Sequence, residues 1–341
     1  MSALVLDAAD PQNILKAALV LRQGGLVAFP TETVYGLGAD ALNEKAVVRI
    51  FEAKKRPTFD PLIVHVASME EAEKLWHGTP KEAKALMKAF WPGPFTLVMP
   101  KSSIVPDVVT SGLPTVAVRM PKHDAALALI KALGHPIAAP SANVFGYTSP
   151  TSAEHVREDV GEKVEIVLDG GDSVVGVEST VVKLEDSCAV ILRPGAVTPE
   201  MIEKIIPLKK GDSALFSDLE SPGQLESHYA PYTPLHLLSK PYAECSEDVG
   251  RWLDGLQKEK GHPRAGLLAL KPLKGGSPFE SVQILSEKGD PLEAASRLFQ
   301  AIRKLDKMHL DLLLAEPVSE KGIGLAIMDR LKKASGGKTL C

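Results

Sequence analysis

The sequence predicts an α/β protein of two domains: a mixed or parallel sheet flanked by helices, then a small parallel βαβ domain. Three observations carry this. The chain has 341 residues, and a domain takes roughly 150. Its residues are 45% hydrophobic but only 5% aromatic, so Val, Ile, Leu and Ala must build the core, which suits a helix-covered sheet. From Leu235 onward, strand-like and helix-like segments alternate, the pattern of βαβ units.

The elements follow in order. Residues 11–23 carry Ile14, Leu15, Ala18, Leu19 and Leu21 in helical spacing, and Gly24-Gly25 stops that helix. Residues 26–29 form a short buried strand ended by Pro30. Helix 44–53 leads into the basic cluster Lys54-Lys55-Arg56, and 62–66 is a strand. Helices 70–76 and 81–90 follow, the second broken by Trp91-Pro92-Gly93-Pro94. Strands 95–99 and 116–119, helix 124–133 and strand 137–139 come next, the last running into Pro140-Ser141-Ala142-Asn143. Segments 152–160, 164–168, 179–183 and 190–192 complete a first domain, 1–208. Residues 209–234 lose periodicity and are rich in Pro, Gly, Ser and Tyr, so they read as a linker. The second domain, 235–341, reads as 235–238, 248–256, 265–270, 282–285, 291–305, 310–314 and 324–333.

Charge narrows the function. The net charge of −4 argues against a dedicated nucleic-acid binder, so any polyanion site is local. Cys188, Cys245 and Cys341 lie too far apart for a metal spacing and read as reduced thiols of a cytoplasmic protein. The first residues carry acids and no basic n-region, unlike a signal peptide. No apolar run approaches the ~18 residues of a membrane span, so no membrane partner is expected.

Two glycine motifs are decoys. Gly36-Leu37-Gly38-Ala39-Asp40-Ala41 fits the G-x-G-x-x-A dinucleotide fingerprint. Its glycines start well past the end of strand 26–29, whereas the fingerprint begins at the strand end. Gly337-Lys338-Thr339 lacks the P-loop's first glycine, because Lys332 stands there.

The remaining chemistry lies in polar residues near strand ends, each with a plain structural reading beside it. Thr31 and Thr33 suit a turn or cap as well as a ligand contact. Lys54 and Arg56 end a helix, where cations complement the dipole or pair with a polyphosphate. His65 on an apolar strand suits a core histidine. Arg119, half-buried at a strand end, needs an anion from protein or ligand. Ser141 and Asn143 form an S-x-N turn. Glu178-Ser179-Thr180 precedes a strand, and Arg193-Pro194-Gly195 follows one.

Together these segments are specific. FPTETVYGLG, KKRP with PLIVH, WPGPFT, VAVRMP, APSAN, GVEST and LRPG occur in that order. Over about residues 10–205 the chain resembles the YrdC-like threonylcarbamoyl-AMP synthase family. SPGQLESHYAP and GIGLAIMDRLKKAS resemble the long, two-domain form. One departure is Gln224-Leu225, where Met would follow SPG. The resemblance implies a twisted mixed sheet with flanking helices forming a concave site, plus a smaller Rossmann-like parallel C-terminal domain. It implies an enzyme that joins L-threonine, bicarbonate or CO2, and ATP into threonylcarbamoyl-AMP and pyrophosphate, the first step of tRNA threonylcarbamoyladenosine synthesis.

The site residues then take roles by the same resemblance. Lys54, Arg56 and Arg193 face the triphosphate. Ser141 is a hydrogen-bond donor to substrate or phosphate, not a nucleophile. Arg119 forks the threonine carboxylate, and Thr31, His65, Ala139 and Ser179 line the threonine pocket. Thr58, Thr115, Asn143 and Ser149 contact the nucleotide. The linker resembles a lid that brings His228 and Tyr229 to it. Mg²⁺ is expected with ATP, held mostly by phosphates and water because no acidic cage is visible. A tRNA threonylcarbamoyl-transfer machinery is the downstream partner, with weak RNA contact. Rival readings are a non-catalytic RNA-binding module, resting on Lys54–Arg56, and an oxidoreductase resting on the glycine fingerprint.

Overall fold

The computed structural model describes residues 2–209, 228–260, 263–273, 275 and 277–341; most of the linker therefore lies outside the described residues. The chain divides into two compact units, Met1–Phe145 with Ser149–Gln224, and Gly146–Thr148 with Leu225–Cys341.

The first unit runs β1 (Leu4–Asp7), α1 (Pro11–Arg22), β2 (Val27–Phe29), β3 (Gly36–Asp40), α2 (Glu44–Lys54), β4 (Ile63–His65), α3 (Met69–Leu75), α4 (Lys81–Phe90), β5 (Phe95–Pro100), α5 (Asp107–Thr110), β6 (Thr115–Arg119), α6 (Asp124–Leu133), β7 (Ile137–Ala138), α7 (Ala153–Val160), β8 (Ile166–Asp169), β9 (Thr180–Glu185), β10 (Cys188–Arg193) and α8 (Pro199–Glu203). Local chemistry starts these helices: Asp10, Asn43, Ser68 and Ser152 each accept a backbone N–H of the first turn. Gly134 ends α6 in the left-handed region.

The strands form one ten-stranded mixed sheet in the order β1-β8-β2-β3-β7-β4-β6-β5-β9-β10. Alternation along each strand sorts its two faces. One face sends Ala28, Leu37, Val64, Leu97, Val118 and Val182 into the main core, against Val47 and Ile50 of α2, Leu86 of α4 and Val156 of α7. The other face is shared. Val27 and Phe29 pack under α1 and α6 through Ala17, Leu21, Ala126 and Leu129. Further along it, Ile63, Val98, Ala117, Val181 and Leu192 form a small cluster made of strand residues alone. Pairing of His65 with Arg119, Arg119 with Thr96, and Thr96 with Val181 puts those side chains on this same face.

The short elements β1, β3, α5 and α8 are additions to the sequence reading. β1 is mostly exposed, so burial gives it no alternation to read. β3 contains two glycines, which read as a turn. A Cβ on Gly38 would lie 2.8 Å from Phe29 and from Ile137, so the residue is glycine because the strand lies tight against those side chains. Gly36-Leu37-Gly38 thus belongs to an antiparallel strand paired with β2, not to a phosphate-binding turn.

The second unit runs β11 (Leu235–Leu238), α9 (Tyr242–Lys260), β12 (Ala265–Ala269), β13 (Ser281–Ile284), α10 (Pro291–Asp306), β14 (Leu312–Ala315), α11 (Gly324–Ala334) and β15 (Thr339–Leu340). Its sheet order is β13-β12-β14-β11-β15, and every pair is parallel, as the alternating pattern predicts. Helix α9 begins earlier than its periodicity suggested and kinks at Cys245 (φ −136°, ψ 20°). Among the described residues no helix is long and apolar enough to cross a membrane.

Candidate functional site

The segment after β2 folds back on itself and crosses the shared sheet face. Thr31 Oγ1 donates to Val34 O (2.6 Å) and accepts from the backbone N–H of Thr33 (3.2 Å) and Val34 (3.3 Å). Thr33 Oγ1, 2.9 Å from it, accepts from Arg119 Nη1 at 2.8 Å. Arg119 Nε donates to Gly93 O (3.3 Å), and Nη2 lies 2.6 Å from a carboxylate oxygen of Glu32. The anion that a strand-end arginine requires is therefore Glu32. Both residues are buried, at 4% and 5% exposure, yet Nη2 and both Glu32 oxygens have no aligned hydrogen bond.

His65 sits beside Arg119 in register, its ring edge-on to Phe29 at 6.0 Å. Burial, and then the Arg119 charge, push its pKa down to about 3. The imidazole is neutral at pH 7. An unfolded histidine protonates near pH 6.5, so between pH 6.5 and 3 the unfolded chain binds the extra proton. The stability His65 contributes is present above pH 6.5 and is lost as pH falls through that window. Urea midpoints at pH 7 and 4.5 measure this. His65→Gln should lose about 2 kcal/mol less than the wild type over that step.

The chain of contacts continues across the face. Thr96 Oγ1 lies 2.8 Å from Ser179 Oγ. Arg193 donates from Nη2 to Ser179 Oγ and from Nε to Ser179 O, both at 3.2 Å. A Cβ on Gly195 would lie 2.3 Å from Thr180 N, so glycine lets the LRPG chain close against Ser179-Thr180. Ser149 Oγ donates to Glu178.

A second cluster forms where α2 ends. Lys54 Nζ donates to Ser141 O (2.5 Å), Asn143 O (2.5 Å) and Asn143 Oδ1 (3.3 Å). Ser141 Oγ donates to the same Oδ1. Burial, and then the nearby Arg56 charge, hold the Lys54 pKa well below the usual lysine value. Arg56 donates to Asp60 O (3.1 Å) and Pro61 O (2.9 Å), pairs with the Asp60 carboxylate at 2.8 Å, and lies 5.8 Å over the Phe145 ring. Burial pushes the Asp60 carboxyl pKa up against the pull of Arg56.

Backbone pairing joins the two clusters. Gly36 bridges Ser141, Leu37 N donates to Pro140 O (2.8 Å), and Ala142 N donates to Tyr35 O (2.9 Å). Ala139, buried at 4%, donates its N–H to Ile63 O.

Thus Thr31, His65, Arg119, Ser179 and Arg193 gather in one network, and Lys54, Arg56, Ser141 and Asn143 in the next. Ser149 is tied to Glu178, which directly precedes Ser179. Thr115 starts β6, two and four residues before the inward Ala117 and Arg119. Thr58 is exposed in the loop after Arg56. Tyr229 belongs to the second unit, where its ring lies 5.6 Å from Phe299 and under Arg330 at 5.4 Å, with His228 beside it. The sequence reading missed Glu32, Thr96 and Asp60 as partners. Glu32 had a usable signal, as the lone acid in FPTETVYGLG when Arg119 demanded an anion. Thr96 closes the WPGPFT segment, but its partner Ser179 could not be read from it, because the two meet only when β5 pairs with β9.

Among the described residues no cluster of three or more His, Cys, Asp or Glu could hold a metal ion. The two clusters bury four basic side chains, Lys54, Arg56, Arg119 and Arg193, with three carboxylates, Glu32, Asp60 and Glu178, and the basic groups are of the kind that bind anions.

Comparison with known proteins gives consistent matches. A family model described as telomere recombination, covering Sua5, YciO and YrdC proteins, matches residues 19–195. A second, described as threonylcarbamoyl-AMP synthase, C-terminal domain, matches residues 197–336. The chain is 47% identical to the threonylcarbamoyl-AMP synthase of Pyrococcus abyssi over 325 residues, covering 94% of this chain and 93% of the relative. It is 44% identical to the Bacillus subtilis enzyme of the same name, covering 97% and 95%. Its fold superimposes on the crystal structure of P. abyssi Sua5 complexed with L-threonine with a TM-score of 0.86, at 45% identity over 97% of this chain and 96% of that one.

Proposed function

Because the chain belongs to the threonylcarbamoyl-AMP synthase family in its two-domain form, we propose that its first unit binds L-threonine and ATP across the two linked clusters and joins them through bicarbonate-derived CO2. It is an ATP-using nucleotidyltransferase. The observation that supports the residue roles is the burial of four cations, Lys54, Arg56, Arg119 and Arg193, at 1% to 7% exposure around hydroxyl-bearing turns.

The neutral threonine amine attacks CO2, one C=O π bond opens onto oxygen as the N–C bond forms, and the nitrogen gives up a proton to water, leaving a carbamate. A carbamate oxygen then attacks the α-phosphorus of ATP in line, and pyrophosphate leaves. No protein nucleophile is needed. The protein must hold two anions together and stabilise charge on the leaving group. Arg119 receives the threonine carboxylate, with Thr31, Ala139, neutral His65 and Ser179 around it. Lys54, Arg56 and Arg193 face the phosphates, with Ser141 and Asn143 presenting donors. Thr58, Thr115, Ser149 and Tyr229 are assigned to the nucleotide by the resemblance alone. Mg²⁺ would accompany the ATP phosphates, held mostly by them and by water, and would neutralise charge on the leaving pyrophosphate. The product passes to a tRNA threonylcarbamoyl-transfer partner in the cytoplasm, with at most weak RNA contact by this chain.

Pyrophosphate release tests this reading. It should require ATP, L-threonine and bicarbonate together, with omission of any one removing it. Release that continues without L-threonine would refute the assignment.

A further inference from the structure

Glu32 is the unexplained group at the threonine end of the site. Its carboxylate is buried at 5% exposure. It sits among Thr31, Thr33 and Arg119, with His123 close enough to feel its charge. A carboxylate offers about four lone-pair positions, and a buried one pays a desolvation cost unless donors fill them. Here the Arg119 guanidinium approaches at 2.6 Å without aligning an N–H on either oxygen. Arg119 shows the complementary gap: Nη1 and Nε are committed to Thr33 and Gly93, while Nη2 has no hydrogen-bond acceptor. The two form a buried ion pair at 2.6 Å in which the Glu32 oxygens keep lone pairs, and Arg119 Nη2 an N–H, without an aligned hydrogen bond.

A free amino acid carries the matching pair, an amino group that donates and a carboxylate that accepts. Building on the threonine assignment above, we propose that Glu32 is the amino-group receptor of this site, so that Glu32 and Arg119 clamp the two ends of the amino acid. Glu32 accepts N–H bonds from the α-amino group while Arg119 Nη2 donates to the α-carboxylate. The paired charges hold each other in place before ligand arrives, so little is spent on ordering them. Once the ammonium has given a proton to water and is a neutral amine, N–H bonds to Glu32 turn its lone pair away from that carboxylate, toward the space where CO2 must be met. Glu32 therefore selects α-amino acids over hydroxy acids and orients the attacking nitrogen.

Calorimetric titration of the full chain with L-threonine and with 3-hydroxybutanoate, which is threonine without its amino group, tests the clamp. The wild type should prefer L-threonine by about fifty-fold, the worth of buried charge-assisted hydrogen bonds. Glu32→Gln keeps the shape but loses acceptor charge, and should bring the two ligands within about five-fold of each other. ATP affinity, titrated on the same sample, should stay within about three-fold of wild type and report an intact fold. A Glu32→Gln protein that keeps the full preference would overturn the proposal. If that variant does not fold, Glu32→Asp takes its place. It keeps the charge but withdraws it by one methylene, so its preference should fall at least about five-fold, and an unchanged preference sinks the idea. Failure of the function itself looks different: the wild type would then show neither threonine binding nor threonine-dependent pyrophosphate release.

Discussion

Lys54→Met lowers kcat/KM for ATP by about two to three orders of magnitude in pyrophosphate-release assays at saturating L-threonine, the usual cost of losing a preorganised charge stabiliser. Two effects combine. The variant removes a buried cation from the phosphate end of the site. It also frees Ser141 O and Asn143 O, which Lys54 Nζ holds at 2.5 Å, so the turn bearing both donors loses its anchor. Met keeps the length and apolar stem of lysine, which limits the packing loss. The KM for threonine should change far less than kcat, because Arg119, Thr33 and His65 belong to the other cluster. A Lys54→Met enzyme with near-normal ATP kinetics would overturn the assignment of Lys54 to the phosphate end of the site.

Arg119→Ala separates binding from folding. It should lower kcat/KM for L-threonine by at least about a hundred-fold, with the ATP dependence within about three-fold once threonine saturates. It should also cost about 3–5 kcal/mol of stability, because it strands the buried Glu32 charge. The Arg119→Ala, Glu32→Gln double variant removes that stranded charge. It should recover much of the stability in urea titrations while leaving the threonine defect in place. Recovery of threonine use along with stability would mean that the single variant failed through misfolding.

Much of this architecture was legible in the residues themselves. Helices such as α4 and α6 are amphipathic and carry clear stops, Trp91-Pro92 and Gly134, so their bounds could be read directly. The parallel second sheet was legible because its strands are short apolar runs separated by helical periodicity. Elements that escape lack a burial pattern. β1 is exposed, α5 and α8 are short, and β3 hides behind glycines whose purpose is contact with Phe29 and Ile137.

The site shows the same division. Residues at strand ends, Arg119, Ser141, Ser179 and Arg193, stand out by position, and the family resemblance gives them roles. Their partners do not, because Thr96–Ser179 and Glu32–Arg119 are made by residues 83 and 87 positions apart. Such meetings depend on register and on how a loop crosses the sheet, and no local spacing encodes them.

The shared sheet face has a further consequence. α1 and α6 cover the Val27–Phe29 part, while the part that carries the candidate site begins with His65 and Arg119. The two parts touch where Phe29 meets the His65 ring at 6.0 Å, where Ala139 packs in the cluster under α1 and α6, and where His123 at the start of α6 feels the Glu32 charge. Substitutions at Phe29, Ala139 or His123 therefore bear on helix packing and on the candidate site at once, so heat tolerance and substrate choice are coupled at this border of the sheet.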